Sequence, residues 1–268
     1  MTRLGDLAYR AKGAATRILR VGSRRILWTQ PVGLGFGNFL YLWLHAHIRQ
    51  AAGDDYRVFC TDAMRPWVDR FPAIRELIIE QAQVRLIDKR SWGENRLFQG
   101  FGVDFTRGQL QNFVATRLLP SRALEGVPEL GVVVNVRRGD YYSVPEHRAQ
   151  YGFNYQRYLD AAFERFELDG TVTVVSDDPD WCRANLRLPG VVTFVPTGAV
   201  EHLRVLCGAS TLVGSNSTFS YWGGYVGDVR IPGRRVVMPA LHNRRVFGGA
   251  AIQLDPAWTA VDLVDWSE

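Results

Sequence analysis

Two arginines stand side by side where an apolar run ends: Val132-Val133-Val134-Asn135-Val136 leads into Arg137-Arg138-Gly139-Asp140-Tyr141-Tyr142. Each guanidinium carries a rigid fork of donors, and two forks followed by glycine fit a diphosphate clamp. Asp140 is placed to hold one of them by a charge-assisted hydrogen bond. A second polar segment, Ser176-Asp177-Asp178-Pro179-Asp180-Trp181, also follows an apolar run. Its carboxylates are expected to cap the next helix and favour its dipole, with donor contact as a second role. Asp178-Pro179-Asp180 also has the spacing of a carboxylate pair on a divalent ion, but no metal is expected. A third segment, Gly214-Ser215-Asn216-Ser217-Thr218-Phe219-Ser220, offers hydroxyls and backbone N–H groups where a helix should begin, which suits phosphate and is equally compatible with N-capping. The fourth is Gly33-Leu34-Gly35-Phe36-Gly37-Asn38, whose glycines let a ligand approach the backbone. Its G-x-G-x-G spacing fails the dinucleotide fingerprint, and no G-K-[ST] ending makes it a Walker loop.

The elements that must position these groups alternate in type. Short β-branched runs read as strands at 26–30, 56–60, 84–87, 131–136, 171–176, 191–195, 211–213 and 235–238. Helical patterns fill the intervals at 38–52, 64–71, 107–118, 154–167, 179–186, 200–207 and 218–225. Such alternation predicts an α/β fold with parallel sheets, whose ligands lie beyond the carboxyl ends of the strands. All four polar segments fall there. A Pro/Gly/Ser-rich break over 119–128 sets the expected boundary between a domain at 26–125 and another at 126–268.

Composition narrows the classes. The 268 residues are 47% hydrophobic and 22% charged, a globular balance. The net charge of +5 is carried by the first 25 residues, where seven Lys or Arg face one Asp and leave the remainder at −1. A neutral body argues against a nucleic-acid partner. The leader, residues 1–25, interleaves its cations with Leu4, Leu7, Ala11, Ala15 and Ile18, a pattern that fits either a helix on an anionic membrane surface or a solvated basic helix. From Ile26 to Ile48 no charged residue occurs, yet the interrupting glycines and Pro31 leave too short an apolar helix to span a bilayer. Cys60, Cys182 and Cys207 form no C-x-x-C pair, so a cytoplasmic protein is expected, peripheral on the inner membrane face if the leader binds there.

As an ordered set the four segments resemble the α-1,2-fucosyltransferases of glycosyltransferase family 11, over about residues 32–226. Gly35, Gly37 and Asn38 match that family's G-x-G-N, and Arg137 to Tyr141 match its H-x-R-R-G-D-Y, with Asn135 at the first position. Ser176, Asp177, Asp178 and Trp181 match S-D-D and its Trp, and Cys207 with Ser215 to Gly223 match the closing Cys and S-N-S-[ST]-F-S-x-W-G. The resemblance implies a GT-B fold of two facing Rossmann-like domains, the first on the acceptor side and the second binding the nucleotide sugar. It further implies metal-independent, inverting fucosyl transfer from GDP-fucose to a hydroxyl of a galactose-type glycan or glycoconjugate, with no cofactor.

By position, Arg137 meets the departing diphosphate, Arg138 and Asp140 support it, and Ser217, Thr218 and Phe219 line the phosphate and base. The family's guanine-binding Asp is Val200 here, so either the adjacent Glu201 takes over that contact through a local shift or the base is not guanine. That departure and Asn135 keep open a different nucleotide sugar or a small-molecule natural-product acceptor, and a non-catalytic nucleotide-binding or scaffold protein is the remaining alternative. Glu146, Asp140 and His147 fall in the loop expected after the clamp, and Glu146 is the expected general base.

Overall fold

The valine run at 132–136 is buried on both sides, as only a strand inside a parallel sheet covered by helices can be. The structure, a computed structural model, describes residues 24–29, 33–92, 97–168, 170–196 and 198–263. The leader up to residue 23 lies outside the described residues, and so does the expectation placed on it. The chain divides into two compact units, up to Phe98 and from Gln99 onward. The boundary expected at 125/126 thus falls inside the second unit. There α3 (Arg107–Phe113) sets Phe113 edge-on against Trp222, with ring centroids 5.7 Å apart.

In the first unit β1 (Arg25–Trp28) is followed by α1 (Phe36–Ala51), β2 (Tyr56–Phe59), α2 (Arg65–Arg70), β3 (Ile78–Ile79) and β4 (Lys89–Trp92), and the sheet runs β3-β2-β1-β4. Every pairing is parallel. The strand expected at 84–87 is displaced to 89–92. The Asp88 carboxylate accepts from the Arg85 backbone N–H and closes a turn, which leaves Leu86 exposed and starts the strand later.

The second unit holds β5 (Leu130–Val136), α4 (Gly139–Ser143), α5 (Pro145–Tyr151), α6 (Tyr155–Phe163), β6 (Thr171–Ser176), α7 (Pro179–Asn185) and β7 (Val191–Phe194). It continues through α8 (Ala199–Gly208), β8 (Ala209–Val213), α9 (Thr218–Arg230), β9 (Arg235–Pro239) and β10 (Thr259–Val261). Its parallel sheet runs β10-β9-β8-β5-β6-β7. The chain builds outward from β5 to β7, returns to the other side of β5, and builds outward again. The switch point therefore lies between β5 and β8, where a ligand crevice is expected. One face is closed by Phe153, Tyr158 and Leu159 packed on Val134, Val172 and Val174. On α9 Gly223 permits close contact with α8, since a Cβ there would meet Leu206 Cβ at 2.6 Å.

Two parallel α/β units bear out the expected fold class. Among the described residues no helix is long and apolar enough to cross a membrane.

Candidate functional site

β5 ends at Val136, and the side chain of Tyr155 at the start of α6 captures the next residue. The Tyr155 hydroxyl donates to the Arg137 carbonyl at 2.7 Å and accepts from the Arg137 N–H at 3.1 Å. This hydroxyl is buried, which pushes its pKa well up and keeps it a neutral, two-way partner. The Arg137 side chain leaves from that fixed point, 39% exposed, with Nη2 on Asp140 Oδ1 at 2.6 Å and Nη1 on Asp177 Oδ2 at 2.7 Å. Burial draws its pKa down, but Asp177 and Asp140 more than offset this, so the group stays cationic. The guanidinium is thus held by two carboxylates and still partly open to solvent.

Arg138 is used differently. Its guanidinium lies 3.5 Å from the Trp181 ring centroid and 4.0 Å from that of Tyr142, sandwiched between them. The side chain is only 12% exposed and pairs with Asp178 at 3.5 Å. Of the two arginines expected to form the clamp, Arg137 is the more exposed and Arg138 is largely covered. Asp177 serves both, because its Oδ1 also accepts from the Arg138 backbone N–H at 2.8 Å. Gly139 makes this approach possible: its φ is +22°, and a Cβ there would stand 2.5 Å from Asp177 Oδ2.

Ser176 is buried, accepts from the Asp178 N–H, and receives the Cys182 thiol. Asp178 caps α7 by accepting from Trp181 N–H at 3.3 Å, and Asp180 pairs with Arg183 at 2.7 Å. Asp178 thus caps the helix, while Asp177 and Trp181 of the same segment hold the two arginines. Among the described residues no cluster of three or more His, Cys, Asp or Glu is arranged to hold a metal ion.

At the switch point Asn135 is buried, and its amide is engaged at both ends. Nδ2 donates to the Val175 carbonyl at 3.0 Å, while Oδ1 accepts from the hydroxyls of Ser215, at 3.3 Å, and Ser220. Ser215 is thus joined to the sheet. Asn216 Nδ2 donates to the carbonyls of Tyr151, at 2.8 Å, and His242, at 3.1 Å, and ties the segment to α5 and to the loop after β9. Ser217 caps α9 by accepting from Phe219 N–H at 3.3 Å. Thr218 and Phe219 are left half-buried at the positive end of this 13-residue helix.

Glu201 lies in the first turn of α8, 57% exposed and 3.3 Å from Arg204 Nε. Gly35 caps α1 in the first unit, with Gly37 and Asn38 in the first turn.

The segment after the clamp is helical rather than the expected loop, because Pro145 begins α5 after only one intervening residue, Val144. Asp140, in α4, is joined to His147 of α5, whose Nδ1 lies 3.2 Å from the Asp140 carbonyl oxygen. Glu146 is exposed on the same helix. Tyr155 and His242 lie outside the four segments, and Tyr142 ends the arginine segment. Tyr142 repeats the bridging role, donating to the Phe153 carbonyl at 2.9 Å and accepting from Phe153 N–H at 3.0 Å. His242 contacts the Tyr221 hydroxyl at 3.1 Å, and desolvation draws its pKa down to about 4.

A histidine that stays neutral in the fold but protonates at about 6.5 when unfolded makes the unfolded state bind the extra proton below that pH. Stability should therefore fall as pH drops from about 6.5 to about 4, by roughly 1.4 kcal/mol per pH unit, and level off below. Urea unfolding across this range reads the slope. The same slope in His242→Asn would assign it elsewhere.

Residues 103–231 match the sequence model described as Glycosyl transferase family 11, a stretch that contains the clamp, the capped α7 and the α9 segment. This part of the chain is of glycosyltransferase type. A search of curated proteins gives no match. Among solved structures, POFUT1 in complex with GDP is similar at 12% identity over 81% of this chain and 99% of that one, with a TM-score of 0.37. NodZ α-1,6-fucosyltransferase soaked with GDP-fucose is similar at 12% identity over 76% and 92%, with a TM-score of 0.38. The E. coli heptosyltransferase WaaC with ADP is similar at 13% identity over 89% and 93%, with a TM-score of 0.42.

Proposed function

We propose that this glycosyltransferase-type chain transfers fucose from GDP-fucose, with inversion, to a hydroxyl of a galactose-type glycan or glycoconjugate. The observation that carries the reading is Arg137, set at the carboxyl end of β5 by Tyr155, Asp140 and Asp177 and partly exposed there. As the sugar–phosphate bond breaks, charge grows on the diphosphate, and a preoriented cation there lowers the barrier without reorganising. The N-terminus of α9, with Thr218 and Phe219, supplies the remaining phosphate contacts. In this reading Arg137 carries the charge that a divalent cation carries in metal-dependent transferases. The basic leader is proposed to rest on an anionic membrane surface.

A different nucleotide base is favoured by two observations: the Asn135 amide is engaged within the sheet, and Glu201 is paired with Arg204. A thermal-shift panel of GDP, UDP, TDP and CDP in buffer containing EDTA decides between the two. GDP alone should raise Tm in proportion to saturation. A shift with another diphosphate would replace the donor, and no shift with any of them would overturn nucleotide-sugar binding.

A further inference from the structure

Inverting transfer needs a group that takes the acceptor's proton on the face of the sugar opposite the leaving phosphate. Such a base must be near the clamp but not touching it, because a sugar ring and its nucleophile lie between. Asp140 links the clamp to His147: its Oδ1 lies 2.6 Å from Arg137 Nη2 and its Oδ2 3.7 Å from His147 Nδ1.

The hydrogen bond to the backbone also settles the ring's chemistry. The Asp140 carbonyl oxygen can only accept, so the His147 Nδ1 facing it at 3.2 Å must carry the hydrogen. Nε2 is then the basic nitrogen of the neutral ring. Tyr151, one turn along α5, meets the ring edge-on with centroids 6.3 Å apart. The groups that face the imidazole are therefore Asp140 from α4 and Tyr151 from its own helix, with Arg137 reaching it through Asp140. Glu146, one residue earlier, is exposed. A base oriented by a third group is the arrangement that activates nucleophiles in unrelated enzymes.

We propose that His147 Nε2, oriented by Asp140, is the general base that deprotonates the acceptor hydroxyl. This rests on the transferase reading above. The acceptor O–H gives its proton to Nε2 while the oxygen bonds to the anomeric carbon. The bond from that carbon to the phosphate oxygen breaks, its electron pair leaving on the diphosphate beside Arg137. The imidazolium then returns its proton to water.

The test follows GDP release from GDP-fucose, with and without methyl β-galactoside, in wild type, His147→Ala and Glu146→Gln. In His147→Ala, kcat should fall by about 10²–10⁴-fold while the GDP thermal shift stays at the wild-type value, and added imidazole should restore part of the rate. Wild-type turnover with His147→Ala equally active, or loss confined to Glu146→Gln, would overturn the role of His147 and leave the transferase standing. A wild type that neither binds GDP nor releases it from GDP-fucose would overturn the transferase itself.

Discussion

Arg137→Ala is expected to lower GDP release from GDP-fucose by on the order of 10²–10³-fold or more, the range found when one preoriented donor to a developing charge is removed. The fold should survive. The guanidinium is 39% exposed, and its partners Asp140 and Asp177 are 50% and 25% exposed, so water reaches both carboxylates once the cation is gone. Exposed ion pairs of this kind contribute at most about 1 kcal/mol. The measurement pairs steady-state kinetics with thermal unfolding: a collapsed rate at a nearly unchanged Tm is the expected result. Turnover close to wild type would remove Arg137 from the reaction.

Arg138→Ala should do the reverse. Its guanidinium is a filling between Trp181 and Tyr142, and its stem is covered, so alanine leaves a gap between two aromatic rings. Losing two desolvated cation–π contacts and this packing is expected to cost roughly 2–3 kcal/mol. In a unit of this size that lowers Tm by about 5–10 °C. Turnover below the new transition should fall far less than in Arg137→Ala. An unshifted Tm with abolished turnover would show that Arg138 acts on the ligand instead. Lysine should not restore stability, since an ammonium cannot stack as a plane between the two rings.

The contrast between these neighbours explains what was legible beforehand. The Arg-Arg-Gly-Asp run could be read as a clamp from residue type and place, because β5 is a valine-rich strand and must end at the ligand edge. That Arg137 is the more exposed of the two and Arg138 largely covered could not be read. The partition depends on Trp181 and Asp177, about forty positions away, and on Tyr155, which belongs to no motif. Asn135 shows the same limit. Its partners Ser215 and Ser220 lie 80 and 85 residues further on, and they come to it only because β8 returns beside β5.

Local chemistry misled in two places. Val84-Arg85-Leu86-Ile87 has the composition of a strand, but the Asp88 side chain captures the Arg85 N–H and forms a turn. The stretch after the clamp, expected as a loop, is two short helices with only Val144 between them. The alternation of elements, the parallel sheets and the capping of α7 and α9 were all legible, since each follows from spacing over a few residues.

One hydroxyl acts as a ruler for the second unit. By occupying both the N–H and the carbonyl of residue 137, Tyr155 removes the groups with which β5 would add another rung to its ladder. The strand's length is thus decided from outside the sheet, by a helix that begins eighteen positions later. Any displacement of that helix would be passed undiminished to the root of the arginine, so the accuracy with which the cation is aimed is inherited from helix packing.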